Sequence, residues 1–217
     1  MQQPRTHCIR CGKCCKSSSP SLQKEDYDLI EKGFIRIDQL FTIRKGELVR
    51  DNIEGRIRRL GYEMVKIKEK ENGACIFYDA QESACTIYRD RPIQCRALKC
   101  WDTREYMRIY KKEKLTRKDI IKDKDLLLLI EEHERRCSHL QLETLVSNIP
   151  NRGEEAVNGI LDMLRFDFHI RSFLSKRLGI PKEYMPFYFG RPLMDIITVY
   201  GLRVIKEDNN TFLLTST

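Results

Sequence analysis

The sequence predicts an α+β fold, in which a small cysteine-rich region with short strands and hairpins packs against a mainly α-helical C-terminal half. Three observations favour this fold class. Eight of the nine cysteines lie in the first hundred residues, turn signals separate short extended runs among them, and apolar residues recur at helical spacing after residue 104. We therefore expect two regions, residues 1–103 and residues 104–217, packed on each other as one unit.

The first predicted elements are a helix and a hairpin. Ser21 is a suitable N-cap for a helix that ends at Gly33. Residues 63–70 mix apolar and charged side chains in a way that predicts a strand. The turn residues at 71–73 should connect this strand to a return strand that starts at Cys75.

The rest of the cysteine region predicts further short elements. Residues 79–83 predict a second turn, and residues 85–88 predict a third extended piece. Pro92 favours the first position of a short helix, which would carry Cys95 and Cys100. Cysteines at the ends of such short elements can come together at one place in a small fold.

The C-terminal half predicts helices and one hairpin. A capping pattern at Thr116 predicts a helix to about Arg135. Apolar spacing predicts a second helix over 154–178, which Gly179 ends, and a third between residues 192 and 201. The tail predicts a hairpin around 208–210.

Composition limits the class of protein. The chain has 217 residues, of which 41% are hydrophobic and 33% charged, so it can bury a core without cross-links. Its formal net charge of +8 is spread along the chain rather than gathered in a tail. Diffuse basicity permits nucleic-acid binding without requiring it, so nucleic acid is disfavoured as a partner and a protein partner is left open.

The chain shows neither a spanning segment nor an export signal. No apolar run approaches the roughly 18 residues that a transmembrane helix needs. The first residues are polar and basic and lack the apolar core of a signal peptide. We therefore expect no membrane association and a cytoplasmic location, where thiols stay reduced.

The nine cysteines admit three explanations: disulfides, unrelated core thiols or metal ligands. Disulfides fit poorly, because the count is odd and no export signal is present. Core thiols fit poorly as well, because the stretch CIRCGKCC, residues 8–15, reads as a loop rather than as a periodic element. Metal ligation remains for the eight thiols in two blocks, which are Cys8, Cys11, Cys14, Cys15, Cys75, Cys85, Cys95 and Cys100.

The spacing of the two blocks favours metal binding. Two residues between cysteines let the backbone curl so that both sulfurs face one ion. The second block has nine, nine and four residues between successive cysteines, so it must bring separate loops together. Arginine and lysine residues flank both blocks, and nearby positive charge lowers the pKa of thiols.

The number and kind of metal centres stay open at this point. Eight thiols allow two four-thiolate zinc sites, one iron–sulfur cluster with spare thiols, or two clusters. Cysteines at i, i+3 and i+6 are typical of a 4Fe–4S ligand loop, whereas zinc sites usually pair two short knuckles. The sequence therefore favours a 4Fe–4S cluster over zinc.

Two motifs carry a family resemblance. CIRCGKCC, then Cys75, then CTIYRDRPIQCR at residues 85–96, resemble the CxxCxxCC cysteine-cluster family, also called YkgJ-type. The resemblance implies a zinc- or iron-chelating domain over roughly the first hundred residues. The FGRPL stretch at 189–193 also resembles longer members. Flagellin lysine methylases are similar in their cysteine pattern, but no further match carries their activity to this chain.

A further ligand set is possible near the end of the first C-terminal helix. The segment EEHERRCSH supplies His133 and Cys137, four residues apart on one helix face, and His139. The alternative interpretation is a charged helix end with a half-buried thiol, and it is favoured here. The loops of nucleotide-binding proteins and the GxSxG and HExxH motifs of hydrolases are absent from the sequence.

Three functions follow from these features. The first is a metal protein that holds an iron–sulfur cluster or zinc and serves redox chemistry or sensing. The second is a structural zinc module that binds a protein or nucleic acid. The third is a metal-dependent protein-modification enzyme, so whether the chain is an enzyme, and which residues would be catalytic, is left open.

Overall fold

The computed structural model describes residues 6–51, 53–206 and 212–216. It confirms the predicted α+β class, with short antiparallel strand pairs and a helical C-terminal half. The strands are β1 (Leu40–Ile43), β2 (Leu48–Arg50), β3 (Ile57–Arg59), β4 (Met64–Ile67), β5 (Tyr78–Asp79), β6 (Ala84–Cys85), β7 (Leu202–Lys206) and β8 (Phe212–Ser216). The α-helices are α1 (Lys13–Ser17), α2 (Tyr27–Glu31), α3 (Ile93–Ala97), α4 (Arg104–Tyr110), α5 (Arg117–Ile120), α6 (Lys124–Arg136), α7 (His139–Arg152), α8 (Glu154–Arg177), α9 (Met185–Phe189) and α10 (Leu193–Ile196).

The chain forms two compact units, and each unit combines segments that are distant in sequence. The first unit comprises residues 1–41 and 64–120, and the second comprises residues 42–63 and 121–217. The sequence predicts a single boundary between residues 103 and 104, whereas each of these units consists of two separate segments. The predicted boundary stays a prediction. The segment 42–63 therefore folds with residues that follow it by more than fifty positions.

Backbone hydrogen bonds among three segments hold the first unit together. The Leu22 N–H donates to the Val65 carbonyl, the Val65 N–H donates to the Leu115 carbonyl, and the Leu115 N–H donates to the Leu22 carbonyl, each at 2.9 Å. All three side chains are buried. Strand β4 also pairs with β1, whose first two residues belong to this unit.

The first predicted helix is shorter than expected. Ser21 does not cap it, because Ser21 pairs as an isolated bridge with Lys66 and its N–H donates to the Gln94 side chain at 2.8 Å. A 3-10 turn at Lys24–Asp26 precedes α2, with Gln23 as the cap. The predicted end at Gly33 is confirmed by its left-handed backbone, with φ of 76°.

Both predicted turns of the cysteine region are present. The Lys70 N–H donates to the Ala74 carbonyl at 2.7 Å, so the chain turns back at 71–73 as predicted. The predicted return strand is reduced to one isolated β-bridge, between Glu69 and Cys75. Residues 79–83 join β5 to β6, with Tyr78 opposite Cys85. The extended piece expected over 85–88 ends at Cys85, after which the chain turns.

The helix expected from Thr116 to about Arg135 is interrupted. Helix α5 ends at Ile120 and α6 begins at Lys124. Asp123 causes the new start, because its carboxylate accepts hydrogen bonds from the N–H groups of Asp125 and Leu126 and so caps α6.

The second unit packs its helices around one hydrophobic cluster. Helix α8 and its end before Gly179 confirm the predicted helix over 154–178, whereas α7 was not predicted. Pro192 precedes α10, and Gly201 follows a 3-10 turn, as expected. The core contains Cys137, Leu142, Ile160, Met163, Leu164, Leu193, Ile196 and Ile197.

The predicted tail hairpin is formed by β7 and β8, in a register from Leu202 opposite Ser216 to Lys206 opposite Phe212. Its turn at 208–210 lies outside the described residues. In the part of the chain that the structure describes, no helix has both the length and the apolar content needed to cross a bilayer.

Buried charges fix the segment 42–63 in the second unit. The Arg44 guanidinium makes two hydrogen bonds to the Glu134 carboxylate, at 2.6 and 3.0 Å, and a third to the Cys137 carbonyl at 2.7 Å. Glu47 accepts a hydrogen bond from Arg191 at 2.7 Å. Both Arg44 and Glu47 are fully buried. Breaking either pair would leave an uncompensated buried charge.

The FGRPL stretch, residues 189–193, contains the short loop between α9 and α10. Two charged residues of α8 bind this loop. Arg171 donates to the carbonyls of Phe189 and Gly190, both at 3.1 Å, and the Asp167 carboxylate accepts the N–H of Leu193 at 3.0 Å. Arg171 also pairs with Asp167 one helical turn away. The loop can approach this closely because Gly190 has a left-handed backbone, with φ of 70°.

Candidate metal centre

The two cysteine blocks meet in the first unit. Gly12 has a left-handed backbone, with φ of 72°, and α1 begins directly after it. This short helix carries Cys14 and Cys15. The Cys75 N–H donates a hydrogen bond of 2.8 Å to the Cys15 carbonyl, so the first block lies against the start of the second.

A carboxylate fixes the loop that joins the first block to the body of the unit. The Glu69 side chain accepts the Ser19 N–H at 2.8 Å, together with the hydroxyls of Ser18 and Ser19. Glu69 is also the residue that bridges Cys75. One residue thus holds the chain on both sides of the meeting point of the two blocks.

A buried carboxylate also positions the helix that carries Cys95. Asp26 is fully buried and accepts the N–H of Ile93, the first residue of α3, at 2.8 Å. The same carboxylate accepts the N–H of Gln23 at 2.9 Å. Burial raises the pKa of Asp26 above its usual range, while these two hydrogen bonds oppose the rise. Asp26 therefore anchors α3 to the segment that precedes α2.

None of the nine cysteines, all of which lie in the described residues, forms a disulfide. Within the eight predicted ligands, one group interacts electrostatically, and we call its members the inner thiols: Cys14, Cys15, Cys75, Cys85 and Cys95. The other three are exposed at the surface, and we call them the outer thiols: Cys8, Cys11 and Cys100. The predicted short helix at Pro92 carries Cys95 but ends before Cys100.

The two neighbouring thiols of the first block differ in acidity. Their sulfurs are 4.0 Å apart, and the hydrogen bond between them lowers the pKa of Cys14 to about 6. The same hydrogen bond raises the pKa of Cys15, and burial adds to that effect. Of these two neighbouring thiols, Cys14 is therefore the one more easily present as a thiolate.

The thiols of the second block resist ionisation. Burial raises the pKa of Cys95, and the charges of Cys75, Cys85 and Cys14 raise it further. Burial likewise raises the pKa of Cys75 and of Cys85. Thiolates crowded in this way repel one another, and a bound cation removes that repulsion. The donor chemistry of the inner thiols thus fits a metal centre.

One arginine supplies positive charge to the inner thiols. The Arg91 charge opposes the rise in the pKa of Cys85 and of Cys95. The Arg91 guanidinium lies 3.9 Å from the centre of the Tyr88 ring, and Arg10 lies 5.1 Å from the same centre. The Tyr88 ring thus makes cation–π contacts with one arginine from each cysteine block.

The sulfur atoms of the predicted ligands are farther apart than they would be around one bound metal ion. In the described ranges, no three of the eight predicted ligands have sulfurs mutually within 4.8 Å. Zinc–sulfur bonds of about 2.3 Å at tetrahedral angles require sulfurs about 3.8 Å apart. Metal binding therefore requires the loops to close further, and the assignment of ligands remains a prediction.

Gly12 and Tyr78 form the tightest contact between the blocks. A Cβ atom on Gly12 would clash with the Tyr78 hydroxyl oxygen and lie 2.7 Å from the ring carbon that bears this hydroxyl. Tyr78 is buried, and its hydroxyl has no hydrogen-bond partner. The glycine in CIRCGKCC is therefore needed both for its backbone conformation and for this close approach.

We expect Gly12→Ala to destabilise the first unit by about 3 kcal/mol, because it combines left-handed strain with a clash in a buried contact. Chemical denaturation followed by tyrosine fluorescence measures the change. Gly73→Ala is the matched control, since Gly73 has a φ of 79° but open space around it, and should cost only about 1 kcal/mol. Equal losses in the two variants would contradict the contact. Adding Tyr78→Phe should recover part of the loss.

The residues of the EEHERRCSH segment lie in the second unit. Cys137 is fully buried rather than half-buried, and His133 and His139 are buried as well. Burial lowers the pKa of His133 to about 4 and that of His139 to about 3, so both rings are neutral near pH 7. The helix end is charged as expected, with Arg135 and Arg136 exposed, but the expectation of a half-buried thiol is wrong, because Cys137 is fully buried.

Several residues that support the site were missed by sequence reasoning. Asp26, Glu69 and Gln94 hold the cysteine loops from positions remote in sequence, and a charged or polar residue carries no local signal of such a role. Gly12 did offer a signal, because glycine within a ligand loop often marks a left-handed turn.

Comparisons with known proteins support the sequence resemblance. Residues 7–110 match the family model CxxCxxCC, described as "Putative zinc- or iron-chelating domain", and this confirms the resemblance. An uncharacterized protein of Methanocaldococcus jannaschii is 30% identical over 90 residues, which cover 42% of each chain. The chain thus spans less than half the length of that relative. No solved structure matches the chain.

Proposed function

We propose that the two cysteine blocks of residues 7–110 hold a 4Fe–4S cluster and that the protein serves redox chemistry or sensing. The match of this segment to a zinc- or iron-chelating family supports metal binding. The observation that carries the proposal is the meeting of the blocks, in which the Cys75 N–H binds the Cys15 carbonyl and five thiols interact.

The first block supports iron–sulfur ligation through its spacing and its exposure. Cys8, Cys11 and Cys14 follow at intervals of three, which is the interval of 4Fe–4S ligand loops. All three are exposed, so a centre that they help to hold would lie near the protein surface. A bound 4Fe–4S cluster supplies one-electron chemistry, and a surface position allows electrons to reach it from a partner.

The basic residues of the site have a defined task in this proposal. The Arg91 charge opposes the burial-driven rise in the pKa of Cys85 and of Cys95. Arg10 reaches the same Tyr88 ring from the first block. Their charges stabilise thiolate ligands and favour the more negative, reduced state of a centre, which raises its reduction potential.

Zinc is the second candidate, and one observation favours it. Four inner thiols, Cys15, Cys75, Cys85 and Cys95, come from separate segments of the first unit and are partly or fully buried. A closed, four-thiolate, water-free site is what structural zinc requires. In that case the metal would fasten the loops, and the surface around them would bind a protein or nucleic-acid partner.

Anaerobic purification followed by a visible spectrum and elemental analysis separates the candidates. For an iron–sulfur protein we expect a brown sample with broad absorbance, and iron and acid-labile sulfide in equal amounts. A colourless sample with stoichiometric zinc would replace the cluster with the zinc module. A sample that takes up neither zinc nor iron and sulfide after reconstitution would contradict both.

A further inference from the structure

The second unit holds its own set of metal-type ligands. His133 lies in the last turn of α6, Cys137 caps the end of that helix, and Asp167 lies in the middle of α8. One ligand atom from each of the three residues lies within 4.8 Å of the other two. In the described ranges this is the one set of three or more histidine, cysteine or acidic residues with such spacing.

The three residues offer the donor types that zinc prefers. An imidazole nitrogen, a thiolate sulfur and a carboxylate oxygen are all established zinc donors, and three protein ligands suffice for a site with one open position. All three residues are at most 1% exposed. The set is therefore not a chance grouping of surface charges.

Two of the three donors are poorly satisfied within the protein. The Nδ1 atom of His133 is buried and has no hydrogen-bond partner. The Cys137 thiol donates one weak hydrogen bond, of 3.6 Å, to the Met163 carbonyl. Buried polar atoms without partners are rare in folded proteins, and each one points to a missing ligand, water or ion.

The third donor is held in place by groups around it. The Asp167 carboxylate accepts a hydrogen bond of 2.7 Å from the Nε2–H group of His133. Arg171 and the Leu193 N–H also bind its carboxylate. Partners of this kind orient metal-binding carboxylates in proteins and keep the donor set rigid.

We propose that His133, Cys137 and Asp167 bind a divalent transition-metal ion, with Zn²⁺ as the favoured ion, in a second site independent of the cysteine blocks. Binding forms bonds from the metal to an imidazole nitrogen, the Cys137 sulfur and an Asp167 oxygen. The thiol proton is released to solvent, and the His133 ring stays neutral with its proton on the other nitrogen. No electron is transferred in this step.

Such an ion would fasten the two helices to the loop that follows them. His133 and Cys137 belong to the end of α6, and Asp167 connects α8 to the start of α10 through the Leu193 N–H. The Arg44 guanidinium donates to the Cys137 carbonyl, so the segment 42–63 would be tied to the same point. The ion would then stabilise the second unit specifically.

Cadmium NMR of the full-length chain tests the site without relying on a variant. After loading with ¹¹³Cd²⁺, we expect one resonance whose ¹¹³Cd–¹H correlations reach the β protons of Cys137 and the ring protons of His133. Its chemical shift should indicate a mixed sulfur, nitrogen and oxygen site rather than a thiolate-only site. The absence of any correlation to Cys137 or His133 would overturn the proposal.

Variants then give the stoichiometry. Cys137→Ser and His133→Gln should each bind one equivalent of cadmium less than the wild-type chain. His139→Gln is the matched control, because His139 is also a buried histidine of the second unit but does not belong to the set, and it should keep the full stoichiometry. Equal stoichiometry in all four proteins would also overturn the proposal. The resonances of the cysteine blocks should not change in any of them.

Discussion

Cys95→Ser is expected to remove the metal from the first unit. Burial and three other thiols raise the pKa of Cys95, as they do for Cys15, so Cys95 lies among the interacting inner thiols. Serine is a poor ligand for iron–sulfur clusters and for zinc, and we expect metal affinity to fall by more than about 100-fold. Iron, sulfide and zinc per chain after desalting, together with the visible spectrum, measure the loss.

The same loss is expected for Cys8→Ser and Cys11→Ser, because the spacing of the first block assigns them to the same centre. Cys137→Ser is the control, since Cys137 lies in the second unit and should leave the spectrum of the cysteine blocks unchanged. Full metal content in Cys95→Ser would remove that residue from the ligand set. Loss of the spectrum in Cys137→Ser would place Cys137 in the centre itself.

Gly190→Ala is expected to have the largest effect on the stability of the second unit, with a loss of about 3 kcal/mol or more. A Cβ atom there would lie 2.8 Å from the Cδ atom of Arg44 and 3.0 Å from the Thr42 carbonyl oxygen. Arg44 cannot easily move, because its guanidinium is buried and bonded to Glu134. The left-handed backbone of Gly190 adds strain for any residue with a Cβ.

Denaturant unfolding measures the free energy of each variant. Gly61→Ala is the matched control, because Gly61 belongs to the same unit, has no left-handed backbone and has open space where its Cβ would be. That variant should stay within about 1 kcal/mol of the wild-type chain. If Gly190→Ala lost no more free energy of unfolding than Gly61→Ala, the close packing of the FGRPL loop on Arg44 would be disproved.

The parts of the fold that were predicted correctly depend on local chemistry. The turns at 71–73 and 79–83 use residues that favour turns in any context, and Asp79 accepts the N–H groups of Gln81 and Glu82 within the second one. Helix α8 follows from apolar residues at helical spacing, and Gly179 marks its end. The pairing of the cysteine blocks follows from the chemistry of thiols rather than from any structural propensity.

The parts that were missed depend on contacts between distant segments. Nothing near residue 44 indicates that Arg44 will be buried against Glu134, because a lone arginine is usually a surface residue. The interruption before α6 did carry a signal, because aspartate is favoured at a helix N-cap over a helix interior and Asp123 is the N-cap of α6. Helix α7 did carry a signal, since Leu142, Leu145 and Ile149 have helical spacing and pack on the core.

The discontinuous second unit also sets an order of events when the chain is made. Arg44 and Glu47 leave the ribosome well before Glu134 and Arg191 have been translated. At a translation rate of roughly 5–20 residues per second, the interval between the synthesis of these two residues and that of their partners is on the order of ten seconds. The first unit is complete once residue 120 has emerged, so it can fold while the rest of the protein is still being synthesised.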